Sequence, residues 1–395
     1  MRRLRYLTAG ESHGPALVAV CEGLPAGLSV TRAALSRELA RRRLGYGRSP
    51  RMRFEEDRLE LLGGVRHGRT LGSPVAVVIH NTEWPKWAEA MSPDPPADPA
   101  AVAATGRGRP LTRPRPGHAD LVATLKYGYD DVRDALERAS ARETAARTAV
   151  GALAKLLLAE VGVTVVSHVV DIGGERVGPD APAPGADDLE RVDASEVRTL
   201  DPDAEARMTA RIDAAVDANS SVGGVVEVIA HGLPPGLGSH VHWDRKLDTR
   251  LAAACMSVQA MKGVGVGLGF DLAATPGHEA HDEIVHEDGG YRRRTNRAGG
   301  LEAGVTTGEP LVVRVAMKPL SSLTRPLTTV DLATGEPAEA ITQRADVCAV
   351  PRAGVVLEAV VAIELADALL EKTGGDTVAE VRRSLAAYVD DLRTR

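Results

Sequence analysis

Short apolar runs closed by glycine, proline or other turn residues recur along this chain of 395 residues. Such runs are typical of buried β-strands, because a strand needs only a few residues to cross a core. We predict strands at residues 15–22, 59–63, 74–80, 163–170, 222–230 and 311–316.

Apolar residues spaced by three and four positions predict helices elsewhere, because that spacing places them on one helical face. These segments are residues 31–44, 134–160, 202–218, 245–261, 353–372 and 377–393. Thr31 is suited to cap the first helix and Gly45 to end it.

The order of these elements indicates the fold class. Strands and helices follow one another without the regular strand–helix–strand alternation of a parallel sheet, and no short repeat or clear linker divides the chain. We therefore predict an α+β fold with a single large domain over residues 1–395. Residues 91–110 and 171–203 are rich in turn-forming and polar residues, and we expect both to be mobile surface loops.

The composition is that of a globular protein, with 44% hydrophobic and 26% charged residues. No apolar run is long enough to span a bilayer, and no apolar signal region follows Met1, so we expect no membrane association and no secretion. The three cysteines, Cys21, Cys255 and Cys348, are odd in number and widely spaced. They suit the reducing cytoplasm, where we expect this protein to be located.

The net charge of −6 argues against general nucleic-acid binding. The basic residues are nevertheless clustered, since residues 31–53 contain eight arginines against one glutamate, and residues 107–115 contain four more. An Arg-rich composition, with 41 of the 48 basic residues being Arg, would also scatter Arg widely. Arginines beside Gly and Pro turns are better candidates for ligand binding, because loops commonly carry binding groups.

Gly10-Glu11-Ser12-His13-Gly14 matches the G-x-S-x-G pattern of serine hydrolases. That motif requires a strand, a sharp turn and a helix, because only this geometry exposes the serine hydroxyl. Here an apolar run and then Gly23-Leu24-Pro25 follow, which predicts a strand instead. A serine hydrolase acting through Ser12 is therefore a weak alternative.

Other common signals are absent. No G-K-[ST] motif is present, and the glycines of residues 263–269 do not have G-x-G-x-x-G spacing. His278 and His281 are three residues apart and lack the H-E-x-x-H pattern, so we predict no metal site.

Several further segments combine cations with possible proton-transfer groups. Arg115-Pro-Gly-His118 places a cation and a histidine around a rigid turn. Arg138 and Arg142 are expected to share one face of the helix over residues 134–160. Residues 317–322 offer backbone and hydroxyl donors, and residues 344–351 contain Asp346 two positions after Arg344. Since Arg binds phosphate and carboxylate bidentately, we expect a small polyanionic substrate.

Nine motifs in order resemble the chorismate synthase family over nearly the whole chain. They are GESHG (10–14), RRRLGYGRSPRM (41–52), RPGHADL (115–121), ERASARETAAR (137–147), GGVVEV (223–228), HDEI (281–284), TNRAGGLEAG (295–304), MKPLSS (317–322) and RADVCAVP (344–351). Each motif alone is weak evidence for the family, but nine motifs in the same order are specific to it.

The resemblance implies a 1,4-elimination of phosphate from 5-enolpyruvylshikimate 3-phosphate, giving chorismate at the end of the shikimate pathway. It also implies a requirement for reduced FMN, a homotetramer, and a fold in which helices are sandwiched between two antiparallel β-sheets. A non-catalytic protein that binds flavin or polyanions through the same pocket is the main alternative. Retention of two histidines and an aspartate favours the enzyme, since a binder needs no proton-transfer groups.

Roles for individual residues also follow from the resemblance. His13 is expected to assist departure of the phosphate, and His118 to protonate or stabilise the reduced flavin. Asp346, helped by Ser12, is expected to manage the proton exchanged with the flavin. The substrate's phosphate and carboxylates are assigned to Arg48, Arg51, Arg115 and Arg142.

The resemblance assigns the cofactor to a larger set. Reduced FMN is expected at Ser140, Ala141, Arg142, Gln259, Ala260, Gly304, Lys318, Pro319, Leu320, Ser321, Ser322 and Arg344. Arg42 and Arg48 match positions for NADPH in members that reduce their own flavin; other members depend on an external flavin reductase.

Overall fold

The computed structural model describes residues 2–48, 57–287, 290–342 and 346–394. Strands in these ranges are β1 (Arg5–Ala9), β2 (Ala16–Glu22), β3 (Arg58–Gly63), β4 (Val65–Arg66), β5 (Arg69–Thr70), β6 (Val75–His80), β7 (Thr164–Ile172), β8 (Glu175–Arg176), β9 (Gly224–His231), β10 (Met261–Val266), β11 (Ile284–Glu287), β12 (Gly290–Arg293), β13 (Leu301–Glu302), β14 (Val305–Thr306), β15 (Leu311–Met317), β16 (Thr328–Val330) and β17 (Pro337–Glu339). Helices are α1 (Arg32–Arg41), α2 (Trp84–Trp87), α3 (Pro99–Ala104), α4 (Asp120–Tyr127), α5 (Val132–Ala139), α6 (Thr144–Ala159), α7 (Leu189–Ala194), α8 (Pro202–Asp217), α9 (Leu247–Met256), α10 (Gly277–Ala280), α11 (Val350–Thr373) and α12 (Val378–Arg393).

Two antiparallel sheets enclose a helical layer. One sheet has the strand order β1-β2-β6-β3, and the other has the order β10-β15-β9-β7-β8. Helix α6 packs against β2 and β6 of the first sheet, while α11 packs against β7 and β9 of the second. The two helices also pack against each other. The predicted α+β sandwich of helices between two antiparallel sheets is therefore confirmed.

Helix α11 lies at the centre of this sandwich. Its apolar residues cover all sides of the helix, as expected for a helix that contacts protein on every face. Glu358, Glu364 and Asp367 are the buried acidic residues within it. Across the described ranges, no helix combines the length and apolarity needed to cross a membrane.

The six predicted strands are confirmed within one or two residues at their ends. The single helix predicted over residues 134–160 is wrong near its N-terminal end, because the extended backbone of Ser140 separates α5 from α6. Arg138 and Arg142 therefore do not share one helical face. The break is stabilised locally, since the Ser140 hydroxyl accepts a hydrogen bond from the Arg142 backbone N–H.

Two other expectations need correction. The helix predicted over residues 245–261 is shorter, because α9 ends at Met256 and β10 begins at Met261. Residues 171–203 do not form only a surface loop, since Val192, Val197 and Arg198 are fully buried. Residues 91–110 are largely exposed and contain the short helix α3. The mobility of both segments remains a prediction.

Candidate active site

The GESHG motif forms a turn between two antiparallel strands. Gly10 has φ +102°, and a Cβ atom there would lie 2.3 Å from the carbonyl oxygen of Ala16. Only glycine fits this close approach of β1 and β2. Since β2 rather than a helix follows Ser12, the nucleophile elbow of a serine hydrolase is not formed.

Glu137 of α5 anchors His13 by two contacts. The His13 backbone N–H donates to Glu137 Oε2 at 2.8 Å, and His13 Nδ1 lies 2.8 Å from Oε1. The Glu137 side chain is 1% exposed. Because a carboxylate can only accept, this contact assigns a ring proton to Nδ1 and places Nε2 on the opposite edge of the ring.

Ser12 and Ser140 join the same turn to the α5–α6 break. The Ser12 backbone N–H donates to the Glu137 carbonyl oxygen at 3.1 Å, and the Ser140 hydroxyl donates to Ser12 Oγ at 3.2 Å. The break between α5 and α6, where we predicted continuous helix, therefore brings Ser140 into contact with the His13 turn.

Arg142 lies beside this group. Its Nε donates to Asn81 Oδ1 at 3.0 Å, and it forms an ion pair of 2.5 Å with Asp57. The Asn81 amide donates in turn to the Gly14 carbonyl oxygen at 2.7 Å. Arg142 is thus oriented toward the His13 turn by two side chains.

A second group surrounds His118. Arg115 donates through Nε to Asp120 Oδ2 at 2.9 Å, and the His118 Nδ1 atom forms a short contact with Asp120 Oδ1. Asp120 is fully buried at the start of α4. Burial opposes its ionisation, but hydrogen bonds from His118 and Arg115 hold the pKa of Asp120 well below its usual range.

The MKPLSS motif packs directly against the His118 turn. Lys318 Nζ donates to the Gly117 carbonyl oxygen at 2.6 Å, and Arg115 donates to the Ser322 hydroxyl at 2.8 Å. Burial, together with the nearby charge of Lys262, lowers the pKa of Lys318. This region therefore presents a cation and hydroxyl groups around His118.

Glu143 and Gln259 lie between the two groups. Gln259 Nε2 donates to Glu143 at 3.3 Å, and the Lys318 backbone N–H donates to the Ala260 carbonyl oxygen at 3.0 Å. Burial opposes ionisation of Glu143. A hydrogen bond from Thr8, together with the charge and hydrogen bonds of Arg147, outweighs this effect, so the pKa of Glu143 is lowered. Gln259 Oε1 is buried and lacks a hydrogen-bond partner among the described residues. It is suited to accept from a ligand.

Asp346 belongs to a third group that includes the GYGR turn (residues 45–48). Asp346 forms an ion pair of 2.5 Å with Arg352. The Val347 backbone N–H donates to the Gly47 carbonyl oxygen at 2.9 Å, which joins this segment to the turn before Arg48. Arg48 itself donates to the Arg43 carbonyl oxygen.

The remaining predicted residues divide into four sets. Arg42 is 7% exposed and donates to Thr144 Oγ1 at 3.1 Å, so it supports the α5–α6 break next to Ala141. Gly304 packs against Lys246 and accepts from the Leu247 backbone at the start of α9. Arg51 and Arg344 lie outside the described residues. Pro319, Leu320 and Ser321 follow Lys318, and the Leu320 carbonyl oxygen accepts from Ser221.

Sequence reasoning did not select Glu137, Asp120, Glu143, Asn81 or Trp87. Glu137 and Asp120 were within recognised motifs, yet spacing alone does not show which histidine each carboxylate contacts. The contact of Glu137 with His13 joins residues 124 positions apart. Within the described ranges, no group of three or more His, Cys, Asp or Glu side chains could hold a metal ion.

Comparison with known proteins gives one consistent family. The family model described as chorismate synthase matches residues 4–370. Chorismate synthases of Salinispora tropica and Thermobifida fusca are 61% and 60% identical to this chain, with alignments covering 99% of the chain and 100% of each relative. A crystal structure of a chorismate synthase is 40% identical, covers 100% of both chains and gives a TM-score of 0.80.

Proposed function

This chain belongs to the chorismate synthase family, and from that premise we propose how its residues carry out the family's reaction. As a member it is a carbon–oxygen lyase of the shikimate pathway. It eliminates phosphate from 5-enolpyruvylshikimate 3-phosphate and gives chorismate. The observation that supports our residue assignment is the pair of histidines, each with Nδ1 held by a buried carboxylate.

His13 is assigned to the departing phosphate. Glu137 occupies Nδ1, so the opposite edge of the ring, with Nε2, is the one that can meet a phosphate oxygen. The negative charge of Glu137 offsets the positive charge that His13 carries when it donates a proton or a hydrogen bond. Such a group can act as a general acid toward the leaving phosphate.

Four arginines are assigned to the substrate's negative charges. Arg115 and Arg142 are held by Asp120 and Asp57 at the two histidine groups. Arg48 is the last residue of the GYGR turn, and Arg51 completes the proposed set. Arginine suits this role because it keeps its charge and binds phosphate and carboxylate groups bidentately.

Enzymes of this family need a reduced flavin in general, and the residues of this chain fit FMN. The fit rests on Gln259 Oε1, a buried acceptor without a described partner, and on the donors of residues 318–322 beside His118. Ser140, Ala141, Arg142, Ala260, Gly304 and Arg344 complete the proposed FMN residues. When bound, the reduced flavin would supply reversible electron and proton transfer with no net redox change.

The protein groups that would serve the flavin are His118, Asp346 and Ser12. Asp120 holds the His118 ring through Nδ1, which directs the other ring nitrogen away from the buried carboxylate. Asp346 would hold or release the proton exchanged at the flavin, with Ser12 as its hydroxyl partner. Arg42 and Arg48 would contact NADPH only if this protein reduces its own flavin. Otherwise an external flavin reductase is required.

We propose a homotetramer in the cytoplasm. The outer face of the four-stranded sheet exposes Leu7 and Val20, at 78% and 38% of their surface, which is suited to contact with a second copy. The three cysteines are free and buried, and burial raises the pKa of each thiol to about 12. Such thiols are unreactive. Sedimentation of wild type and Leu7→Lys tests the assembly, and a monomeric wild type would contradict it.

An anaerobic assay tests the activity. Purified protein with reduced FMN and 5-enolpyruvylshikimate 3-phosphate should release chorismate and phosphate in equal amounts, and omission of reduced FMN should abolish both products. Flavin binding without turnover by folded protein would favour the non-catalytic flavin- or polyanion-binding alternative. Labelling of Ser12 by a fluorophosphonate would favour the hydrolase instead.

A further inference from the structure

Trp87 covers one face of the His13 ring. The two ring centroids are 4.1 Å apart and the ring planes differ by 30°, which is a stacked arrangement. Trp87 is the last residue of α2, the short helix that follows β6 and Asn81. None of the nine family motifs includes it, so the stack was not evident from the sequence.

The stack supplies a restraint that Glu137 alone does not. The hydrogen bond to Nδ1 fixes one ring atom of His13, and the bond to the His13 backbone fixes the turn. If the ring rotated about the line that joins Nδ1 to Glu137 Oε1, the contact between these two atoms would be preserved, but Nε2 would move. An indole in contact with the ring face opposes this rotation, so Nε2 keeps one direction.

Trp87 is itself held by two cations. The guanidinium carbon of Arg133 lies 5.5 Å from the Trp87 ring centroid, and that of Arg107 lies 5.7 Å from it. Both distances are within the range of cation–π attraction. Arg133 is buried on α5 and donates to the Arg109 carbonyl oxygen at 3.2 Å. Residues 107–109 are therefore joined to His13 through Trp87.

We propose that Trp87 is a positioning residue for His13, which holds the imidazole plane so that Nε2 faces the phosphate that leaves. This inference rests on the proposed role of His13. It assigns to Trp87 an effect on the chemical step rather than on substrate binding, because the indole contacts the histidine and the arginines bind the substrate's charges.

Kinetics of the assembled enzyme with reduced FMN test the proposal. We expect Trp87→Leu to lower kcat by about tenfold or more, with KM within about threefold of wild type, because small misplacement of a reacting group is costly. Trp87→Phe keeps an aromatic face and should recover most of kcat. Trp84→Leu, on the same short helix, is the matched control and should resemble wild type. Equal loss in Trp87→Phe and Trp87→Leu, or wild-type kcat in Trp87→Leu, would overturn the proposal.

A fluorescence measurement tests the stack without substrate or flavin. Trp84→Phe/Trp243→Phe leaves Trp87 as the single tryptophan of the three in the chain. Because a stacked imidazole quenches indole emission, His13→Ala in this background should raise the emission of Trp87. Unchanged emission would refute the stack. If wild type makes no chorismate but the emission rises, the proposed function fails while the contact stands; turnover unaffected by Trp87→Leu refutes the positioning role alone.

Discussion

At the scale of single residues, one carboxylate determines the direction and charge of His13. Glu137 accepts from both the backbone and the ring of His13, and its side chain is almost fully buried. Glutamine at this position keeps the shape but removes the negative charge. The negative charge of Glu137 stabilises a protonated His13 ring beside a leaving phosphate.

We predict that Glu137→Gln lowers kcat by about tenfold to hundredfold, which is no more than the lower end of the usual contribution of a general acid, because His13 itself is retained. KM should change less, because the arginines that hold the substrate are unaltered. Asp134→Asn, one turn earlier on the exposed side of α5, is the control and should retain wild-type kcat. Steady-state kinetics with reduced FMN measure both. A wild-type kcat in Glu137→Gln would contradict the role of the Glu137 charge.

The carboxylate of Asp120 is expected to contribute to stability as well. Its pKa is lowered in the folded protein by His118 and Arg115, against the effect of burial. A lowered pKa means that the folded state favours the ionised group, so the stabilisation is present above pH ~4 and is lost as pH falls further.

We predict that Asp120→Asn lowers the free energy of unfolding most at neutral pH, and that its difference from wild type shrinks as pH falls below about 4. Urea denaturation at several pH values, at fixed protein concentration, measures this difference. Asp217→Asn, at the exposed end of α8, should show no such convergence. A difference between Asp120→Asn and wild type that stays constant with pH would contradict the assignment.

At the scale of elements, turns rather than helices or strands bring the functional groups together. The GYGR turn is the clearest case. Gly47 has φ +78°, and a Cβ atom there would lie 2.9 Å from Ile212 Cγ2 and 3.2 Å from the Cys348 backbone nitrogen. Its carbonyl oxygen also accepts from the Val347 backbone. The turn therefore fits against the segment that carries Asp346 only when residue 47 is glycine.

We predict that Gly47→Ala separates these segments and lowers kcat/KM by about tenfold or more, because misplacement near 1 Å has such effects. Gly27→Ala is the matched control, since Gly27 has φ +87° but no atom within 4 Å of its Cβ position. Both variants should lose about 1 kcal/mol of stability from the left-handed backbone, and only Gly47→Ala should lose activity. Equal activity in the two would show that the contact with residues 346–348 is unimportant.

Local patterns predicted most elements but not the junctions between them. Apolar periodicity is correct on both sides of Ser140, yet it continues in register through the break and so predicted one helix over residues 134–160. The hydroxyl that ends α5 bonds to nearby backbone, a preference that periodicity does not register. The motifs likewise identified both histidines, whereas their carboxylate partners depend on contacts between distant parts of the chain.

At the scale of the whole molecule, an ionic cluster connects the helical layer to the second sheet. Glu358 of α11 is fully buried and accepts from Arg41 of α1, Arg198 and Ser167 of β7. Lys155 of α6 also contacts it. The composition of residues 171–203 suggested a surface loop, but Arg198 from that segment completes the cluster. Hydropathy does not predict burial of charges that neutralise one another.

The cost of removing one charge from this cluster follows from its burial. Burial opposes ionisation of Glu358, but Lys155, Arg41 and Arg198 outweigh it and hold the pKa below its usual range. Burial also lowers the pKa of Arg198 to about 10 despite the adjacent carboxylate. Loss of the Glu358 charge would leave Arg198 with Asp193, a partly exposed carboxylate, as its remaining partner. Removal of one partner from a buried ion pair is strongly destabilising.

We predict that Glu358→Gln lowers the free energy of unfolding by about 3–5 kcal/mol, because a buried ion pair loses one partner. Glu371→Gln, at the half-exposed end of the same helix, is the control and should cost less than about 1 kcal/mol, as surface ion pairs do. Denaturation at matched protein concentration measures both. Glu358→Gln/Arg198→Leu should recover part of the loss, because it removes the buried cation that has lost one of its two carboxylate partners, Glu358 and Asp193. If Glu358→Gln and Glu371→Gln had the same free energy of unfolding, water or neighbouring groups would be compensating the charge of Arg198. The ionic cluster would then not be what holds α11 against the second sheet.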